Sequence, residues 1–161
     1  MKKILCALLL ITILLTAASC SEKSVSYKDT LSSSELAALI SSDLKNASNM
    51  SEVDDFYIET TLGIDVTKAD SHFVAIQTGG TELDEYGIFK MPDEIEASKM
   101  KTDLETYLKN RVDNYDTRYY IEELPKFEKA EVKAYGKYVI YAVLADTERP
   151  TIFKSAEDAL K

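Results

Sequence analysis

Residues 138–145 read Tyr138-Val139-Ile140-Tyr141-Ala142-Val143-Leu144-Ala145 and carry the strongest strand signal in the chain. β-Branched and aromatic side chains favour a pleated strand, and apolar residues throughout indicate a strand that is covered on both faces. Residues 131–134 come before it, and a turn around Tyr135-Gly136-Lys137 makes the two segments a hairpin. We therefore expect residues 138–145 to form the centre of a sheet.

A second hairpin is predicted earlier in the chain. Residues 73–77 are apolar and partly β-branched, and Gly79-Gly80 marks the loop that ends them. Residues 87–91 supply the antiparallel partner, and Pro92 stops it. Two hairpins separated by helices, rather than alternating βαβ units, predict an α+β fold with an antiparallel sheet of about four strands covered by helices.

Three main helices are predicted from caps and apolar spacing. Ser32 and Glu35 form a capping box at the start of the first helix, and Asp93 and Glu96 form another before the longest, residues 94–115. The last helix begins near Pro150. Each has an apolar face that should pack on the sheet. These faces are Leu36, Leu39, Ile40 and Leu44; Ala97, Met100, Leu104, Tyr107, Leu108 and Tyr115; and Ile152, Phe153, Ala156, Ala159 and Leu160.

Shorter helical pieces are predicted between these elements. Residues 52–62 form a short helix that Gly63 closes, and Asp116 caps a piece that runs to Leu124, where Pro125 breaks or redirects the chain. Arg111 falls within the apolar stripe of the longest helix. We expect its side chain either to extend along that stripe to solvent or to pair with a carboxylate.

The first twenty residues have the pattern of an export signal. Lys2 and Lys3 precede an apolar run that is too short to span a bilayer. Ala17-Ala18-Ser19-Cys20 resembles the lipobox of bacterial lipoproteins, which implies that Cys20 receives a diacylglyceryl group and becomes the mature N-terminus. Two acyl chains anchor a protein stably, whereas one does not. The alternative is an ordinary secretory leader. We expect a signal peptide at 1–19, a lipidated Cys20 with a flexible spacer at 20–30, and one domain at 31–161.

Charge and cysteine content limit the classes of partner. The formal net charge is −9, and removal of residues 1–19, which contain two lysines and no acid, makes it −11. This charge argues against nucleic acid and anionic polymers and favours a cationic partner. Acids are dense at 51–70 and 82–96, and we expect Glu82, Asp84 and Glu85 to be solvated and to steer that partner. The mature chain keeps one cysteine and forms no internal disulfide.

Signals for catalysis are weak. His72 is the single histidine, and residues next to one another on a strand point to opposite faces, so Ser71-His72 does not make a catalytic triad. The acidic clusters lack the ligand spacing of a calcium loop, and no metal site or cofactor is expected. Six tyrosines fall between residues 115 and 141. Most belong to strand packing, but Tyr119, Tyr120 and Tyr138 could form a contact patch.

The order of these features resembles a known family. It consists of the leader, Leu62-Gly63-Ile64-Asp65, strand Phe73-Val74-Ala75-Ile76, strand Tyr86-Gly87-Ile88-Phe89-Lys90, the long helix and Tyr135-Gly136-Lys137-Tyr138-Val139. It is similar to small lipoproteins of Gram-positive anaerobes whose domain is labelled domain of unknown function 4358. The resemblance implies a fold and a location on the outer face of the cell membrane, and assigns no catalytic residue.

Two classes of function follow from these observations. The first is a non-catalytic module of the cell envelope that binds a protein or a small ligand, because no group of catalytic residues converges. The second is a small extracytoplasmic hydrolase that uses a pair of carboxylates. A deep pocket with two acids would favour the hydrolase, and a flat face with exposed tyrosines would favour the binding module.

Overall fold

The computed structural model describes residues 26–161, so the predicted signal peptide and Cys20 lie outside the described residues. The helices are α1 (Ser33–Ser41), α2 (Asp55–Tyr57), α3 (Glu94–Asp113), α4 (Leu124–Glu128) and α5 (Arg149–Leu160). A π-helical turn, Ile58–Leu62, continues α2, and 3-10 turns cover Ala47–Asn49 and Ile121–Glu123. The strands are β1 (Met50–Glu52), β2 (Ser71–Gln77), β3 (Glu85–Lys90), β4 (Glu131–Tyr135) and β5 (Tyr138–Val143).

One antiparallel sheet holds all five described strands, in the order β1-β2-β3-β5-β4. The predicted α+β class and both predicted hairpins are confirmed. Every residue of β5 is buried, as its two apolar faces predict, but the middle strand of the sheet is β3 and β5 lies beside it. The fifth strand, β1, was not predicted because Met50–Glu52 is too short and too polar to carry a strand pattern.

Helices cover both faces of the sheet and divide the core in two. Helices α1 and α5 pack on one face, where Ile88, Ile140 and Phe153 are buried together. The π-helical turn, α3 and α4 pack on the other, against Phe89, Val139 and Tyr141. The alternation of side chains along β3 and β5 produces this division, since neighbouring residues point to opposite faces.

The predicted caps and apolar faces are mostly confirmed. Ser32 and Glu35 form the capping box of α1, and Asp93 caps α3 by accepting from the backbone N–H groups of Ile95 and Glu96. The second capping box is wrong, because the Glu96 side chain pairs with Lys99 instead. Leu39 is also wrong as a core residue, since it is 54% exposed.

One further expectation about the helices is corrected. Pro125 does not break a helix but lies in the first turn of α4, where the missing N–H of proline costs nothing. Residues 27 and 28, in the predicted spacer, also contact the rest of the described chain. The Tyr27 ring packs edge-on against Tyr135, with ring centres 5.5 Å apart, and the Lys28 N–H donates to the Leu160 carbonyl at 2.7 Å.

The sheet has two ends that differ in content. At the entry end, where the described chain begins, Tyr27 and the first turn of α3 lie beside Gly136 of the β4–β5 turn. At the distal end, the loop of residues 78–84 and the loop of residues 114–120 follow β2 and α3. Helix α3 runs from the entry end to the distal end, since Ala97 lines a groove with Gly136 and Val112 lines one with Ala130. Its 20 residues span about 30 Å.

Candidate functional site

A buried carboxylate, Glu85, lies at the centre of a polar cluster behind α3. Its side chain is 5% exposed, and its Oε1 accepts from the hydroxyls of Tyr107 at 2.6 Å and Tyr141 at 2.7 Å. Its Oε2 lies 3.3 Å from Nη1 of Arg111. The expectation that Glu85 is a solvated acid is therefore wrong, and the expectation that Arg111 pairs with a carboxylate is confirmed.

The cluster keeps Arg111 charged and its tyrosines neutral. Burial opposes the charge of Arg111, but the field of Glu85 and the hydrogen bond to Tyr107 outweigh it, so the pKa of Arg111 lies above its usual value. Burial, followed by the charge of Glu85, raises the pKa of Tyr107 and of Tyr141. The guanidinium carbon of Arg111 also lies 4.6 Å from the centre of the Phe127 ring, which is a cation–π contact.

Asp84, the residue before Glu85, belongs to a second buried cluster. Lys126 places its Nζ 2.6 Å from Oδ1 of Asp84 and 2.7 Å from Oε2 of Glu123. Glu123 also accepts from the Leu83 N–H at 2.8 Å. Asp84 is thus not a solvated acid either. Lys126 of α4 pairs with Asp84 at the end of the 78–84 loop, and Glu123 of the 3-10 turn accepts from Leu83 of the same loop, so the cluster ties that loop to α4 and to the turn before it.

An exposed aromatic tip projects from the loop that follows α3. The tip is Tyr119-Tyr120-Ile121, whose residues are 64%, 43% and 51% exposed. Among the described non-glycine residues, only Tyr120 has a positive φ, at 49°. Its carbonyl accepts from the Tyr115 hydroxyl at 2.6 Å, which holds the backbone in this costly conformation. Beside it, Asp116 and Arg118 form an ion pair at 2.7 Å.

Tyr138, the third residue of the predicted contact patch, is not part of this surface. It is fully buried at the start of β5, and its hydroxyl donates to the Leu31 carbonyl at 2.6 Å. It therefore lies at the entry end, at the opposite end of the sheet from the aromatic tip. The error arose because an amphipathic ring fits both a surface and a core that offers its hydroxyl a partner.

A cleft of about 510 Å³ lies between the π-helical turn and α3. The turn ends at Gly63, whose φ of 71° is in the left-handed region that glycine adopts without strain. Arg111 and Tyr107 of the buried cluster form part of the lining. Its other polar side chains are Asp65, Asp103, Asn110 and Asn114, together with two threonines.

His72 does not form a catalytic group with the neighbouring serine. Its Nε2 lies 2.9 Å from Oδ1 of Asp55, and its ring stacks beside Phe89. The Ser71 hydroxyl instead lies 3.1 Å from that of Ser33 on α1. Within residues 26–161, no group of three His, Cys, Asp or Glu side chains converges as a metal site would require. In the same residues, no helix is both long and apolar enough to cross a bilayer.

The sequence interpretation missed the Glu85 cluster, although one signal pointed to it. Arg111 occupies the apolar stripe of α3 and Tyr107 lies one turn earlier on the same stripe, so a cation and a hydroxyl face the sheet together. Such a pair needs an acceptor, and Glu85, the first residue of β3, supplies it. The acidic segment from Glu82 to Glu85 has the composition of an exposed loop, so Glu85 was not identified as the partner of Tyr107 and Arg111.

Buried tyrosines should make the protein less stable at alkaline pH. Burial raises the pKa of Tyr86 to about 12, and the charge of Glu52 adds to the effect, whereas tyrosine in an unfolded chain titrates near 10. Their stabilising effect is complete below pH 10 and is lost as pH rises towards 12, because only the unfolded chain releases these protons. Urea unfolding at pH 9 and pH 11 should show this loss, and Tyr86→Phe should make it smaller. An equal loss in both proteins would contradict the assignment.

Comparison with known proteins gives one match. Neither the search of curated proteins nor that of solved structures found a match. The model of the family described as domain of unknown function (DUF4358) matches residues 42–144, from the end of α1 to just past β5. The match includes the Glu85 cluster, the cleft and the aromatic tip, and it covers more than half of the chain. The chain therefore belongs to the DUF4358 family.

Proposed function

We propose that this protein is a lipoprotein of the cell envelope that is anchored through Cys20 on the outer face of the membrane and binds a partner protein with its aromatic tip. The observation that carries the proposal is the position of the tip at the distal end, away from the end at which the described chain begins. Its exposed rings and preset backbone are the features expected of a binding loop.

The lipobox pattern and the fold together support an outward orientation of the tip. Cys20 lies six residues before Ser26, and six residues span at most about 20 Å. A lipid on Cys20 would keep the entry end close to the membrane. The aromatic tip would then lie about 30 Å further out, at the other end of α3.

The tip has two properties of a contact surface, which are exposed aromatic rings and a fixed backbone. Tyrosine rings supply a large contact area at a low cost in conformational entropy, and Tyr120 is held in place by the Tyr115 hydroxyl. A left-handed backbone at a bulky residue costs about 1–3 kcal/mol, and such strain is concentrated at binding and catalytic sites. Three adjacent exposed apolar side chains at a loop tip therefore fit a hot spot that is buried by a partner.

The charge of the protein indicates the chemistry of that partner. The mature chain would carry a net charge of −11, which attracts cationic surfaces and repels anionic ones. Asp84 and Glu85 are buried and each is paired with a cation, so other acids of the surface must supply the charge that steers the partner. Glu122, next to Ile121, is an acid of the distal surface that could pair with a basic partner. We expect a basic protein with an apolar recess.

The hydrolase remains the second candidate, since the cleft contains two acids, Asp65 and Asp103. A general acid needs a raised pKa. Hydrogen bonds from the Thr67 hydroxyl and N–H instead lower the pKa of Asp65. This direction keeps Asp65 charged, so it gives Asp65 no role as the proton donor of such a pair.

Cys20 is expected to carry the lipid. Metabolic labelling with an alkyne fatty acid should mark the wild-type protein and leave Cys20→Ala unmarked, because the thiol is the acceptor of the diacylglyceryl group. Fractionation of the same cells should find the wild type with membranes and the variant released or uncleaved. A labelled alanine variant would overturn the anchor.

The tip is expected to contact the partner directly. A photo-crosslinking residue at position 119 should give a discrete protein adduct in intact cells, and the same residue at Phe56, which is 74% exposed, serves as the matched control. Tyr120→Gly removes one ring while keeping a backbone that glycine adopts without strain, so adduct formation should fall at unchanged stability. Equal adducts from positions 119 and 56 would argue against a specific contact.

A further inference from the structure

We propose that the cleft between the π-helical turn Ile58–Leu62 and α3 binds a short peptide through both of its free termini. Arg111 would hold the carboxylate, and Asp103 would hold the amino group. This site is separate from the aromatic tip and does not depend on the proposed function.

Arg111 is preorganised for such a contact. Its Nη1 donates to Glu85 and to the Tyr107 hydroxyl, and its guanidinium carbon lies 4.6 Å from the centre of the Phe127 ring. Within the described part of the chain, its Nε and Nη2 donate to no acceptor, and about a third of the side chain is exposed. A guanidinium group that is held by one of its edges and open at another can bind a carboxylate with little further loss of side-chain freedom.

The energetics of the buried cluster support a positioning role. A buried ion pair contributes little net stability compared with apolar residues of the same volume, because both charges lose their hydration. Here one carboxylate, one guanidinium and two tyrosine hydroxyls take the place of a simpler apolar core directly behind the cleft. The gain in stability does not explain this cluster, but the positioning of Arg111 at the cleft does.

The opposite charge lies along the same helix. Asp103 precedes Arg111 by eight residues, which places the two backbones about 12 Å apart. The Arg111 side chain reaches back to Tyr107 and shortens that distance. Among residues 26–161, Asp103 has no ion-pair partner. Charges separated in this way fit the two ends of a peptide of about three residues better than the adjacent groups of a single amino acid.

The size and lining of the cleft agree with this ligand. Small-ligand pockets usually measure about 300–1,000 Å³, and the cleft measures about 510 Å³. Asn110 and Asn114 add amide groups, which suit a peptide backbone. A groove of about 530 Å³ on the other side of α3 offers a contrast, because its Lys109 and Asp113 already pair with each other.

The test uses the full-length lipoprotein in detergent, with trialanine as the probe in isothermal titration calorimetry. Trialanine should bind, and both N-acetylation and C-amidation of the peptide should weaken binding about tenfold or more, as expected when a hydrogen bond between charged groups is lost. Asp103→Asn should weaken trialanine binding by a similar factor and abolish the effect of acetylation. Arg111→Lys, which keeps the charge beside Glu85, should also weaken trialanine binding and should abolish the effect of C-amidation.

Glu105→Gln is the matched control, because it removes one acid from α3 on the side of the other groove. It should leave trialanine binding unchanged. The proposal is overturned if trialanine does not bind, if the doubly blocked peptide binds equally well, or if Glu105→Gln has the effect of Asp103→Asn. Asp103 is exposed, so loss of folding does not complicate that variant. None of these outcomes bears on the crosslinking result at the tip.

Discussion

Gly87→Val should lower the free energy of unfolding by about 3 kcal/mol, the upper part of the range for an overfilled core. A Cβ atom at position 87 would lie 2.3 Å from Cε1 of Tyr141 and 3.1 Å from Cγ2 of Val74. The Tyr141 ring cannot move away easily, because its hydroxyl donates to the buried Glu85 and its ring stacks on Phe89. Glycine in the middle strand is therefore required by the tyrosine that lies across it.

Gly79→Ala is the control for this prediction. A Cβ atom at position 79 would meet no heavy atom within 4 Å beyond its chain neighbours, and Gly79 does not have a left-handed φ. Urea unfolding monitored by circular dichroism should show a change within about 0.5 kcal/mol for Gly79→Ala. A similarly small change for Gly87→Val would mean that Tyr141 does not lie over the glycine.

Arg111→Met should cost about 3–5 kcal/mol when made alone, because it leaves the Glu85 carboxylate buried and unpaired. Glu85→Leu should cost less, because about a third of the Arg111 side chain that it leaves unpaired is exposed to water. The double variant should recover most of this loss, since both charges are then absent. Recovery should not be complete, because the hydroxyls of Tyr107 and Tyr141 lose their acceptor, at about 1–3 kcal/mol for each group left unsatisfied.

A double-mutant cycle in urea measures this coupling. The exposed pair Lys109 and Asp113 on the same helix is the control, and removal of either residue should cost no more than about 1 kcal/mol. If the losses from Glu85→Leu and Arg111→Met simply add in the double variant, the two residues do not interact and the described cluster is wrong.

The regular elements could be predicted because their signals are local. A capping box spans four residues, and the apolar stripe of α3 repeats along one helix. The roles of Ser32, Glu35 and Leu104 could therefore be predicted from residues close to them in sequence. The two hairpins followed from apolar runs and turns in the same way. Strand β1 escaped prediction because three residues are too few to show a pattern, and its pairing with β2 depends on residues distant in sequence.

The candidate site could not be predicted because it depends on burial and pairing across the fold. Asp84 and Glu85 looked like loop acids, and only the packing of α3 and α4 on the sheet supplies the cations that let them be buried. Tyr138 and Tyr119 are the same residue type, yet one is buried and the other is exposed. Which of them faces solvent is decided by residues distant in sequence, such as Leu31.

The hydrogen bond between Lys28 and Leu160 places the first described residues next to the last helix. A short linker can join segments that lie side by side in this way while the chain is opened elsewhere, and circular permutation is usually tolerated at exposed loops. New termini at Gly79-Gly80 would lie at the distal end. If the proposed anchor were moved to these new termini, the distal end would lie at the membrane, and the aromatic tip would face the lipid surface.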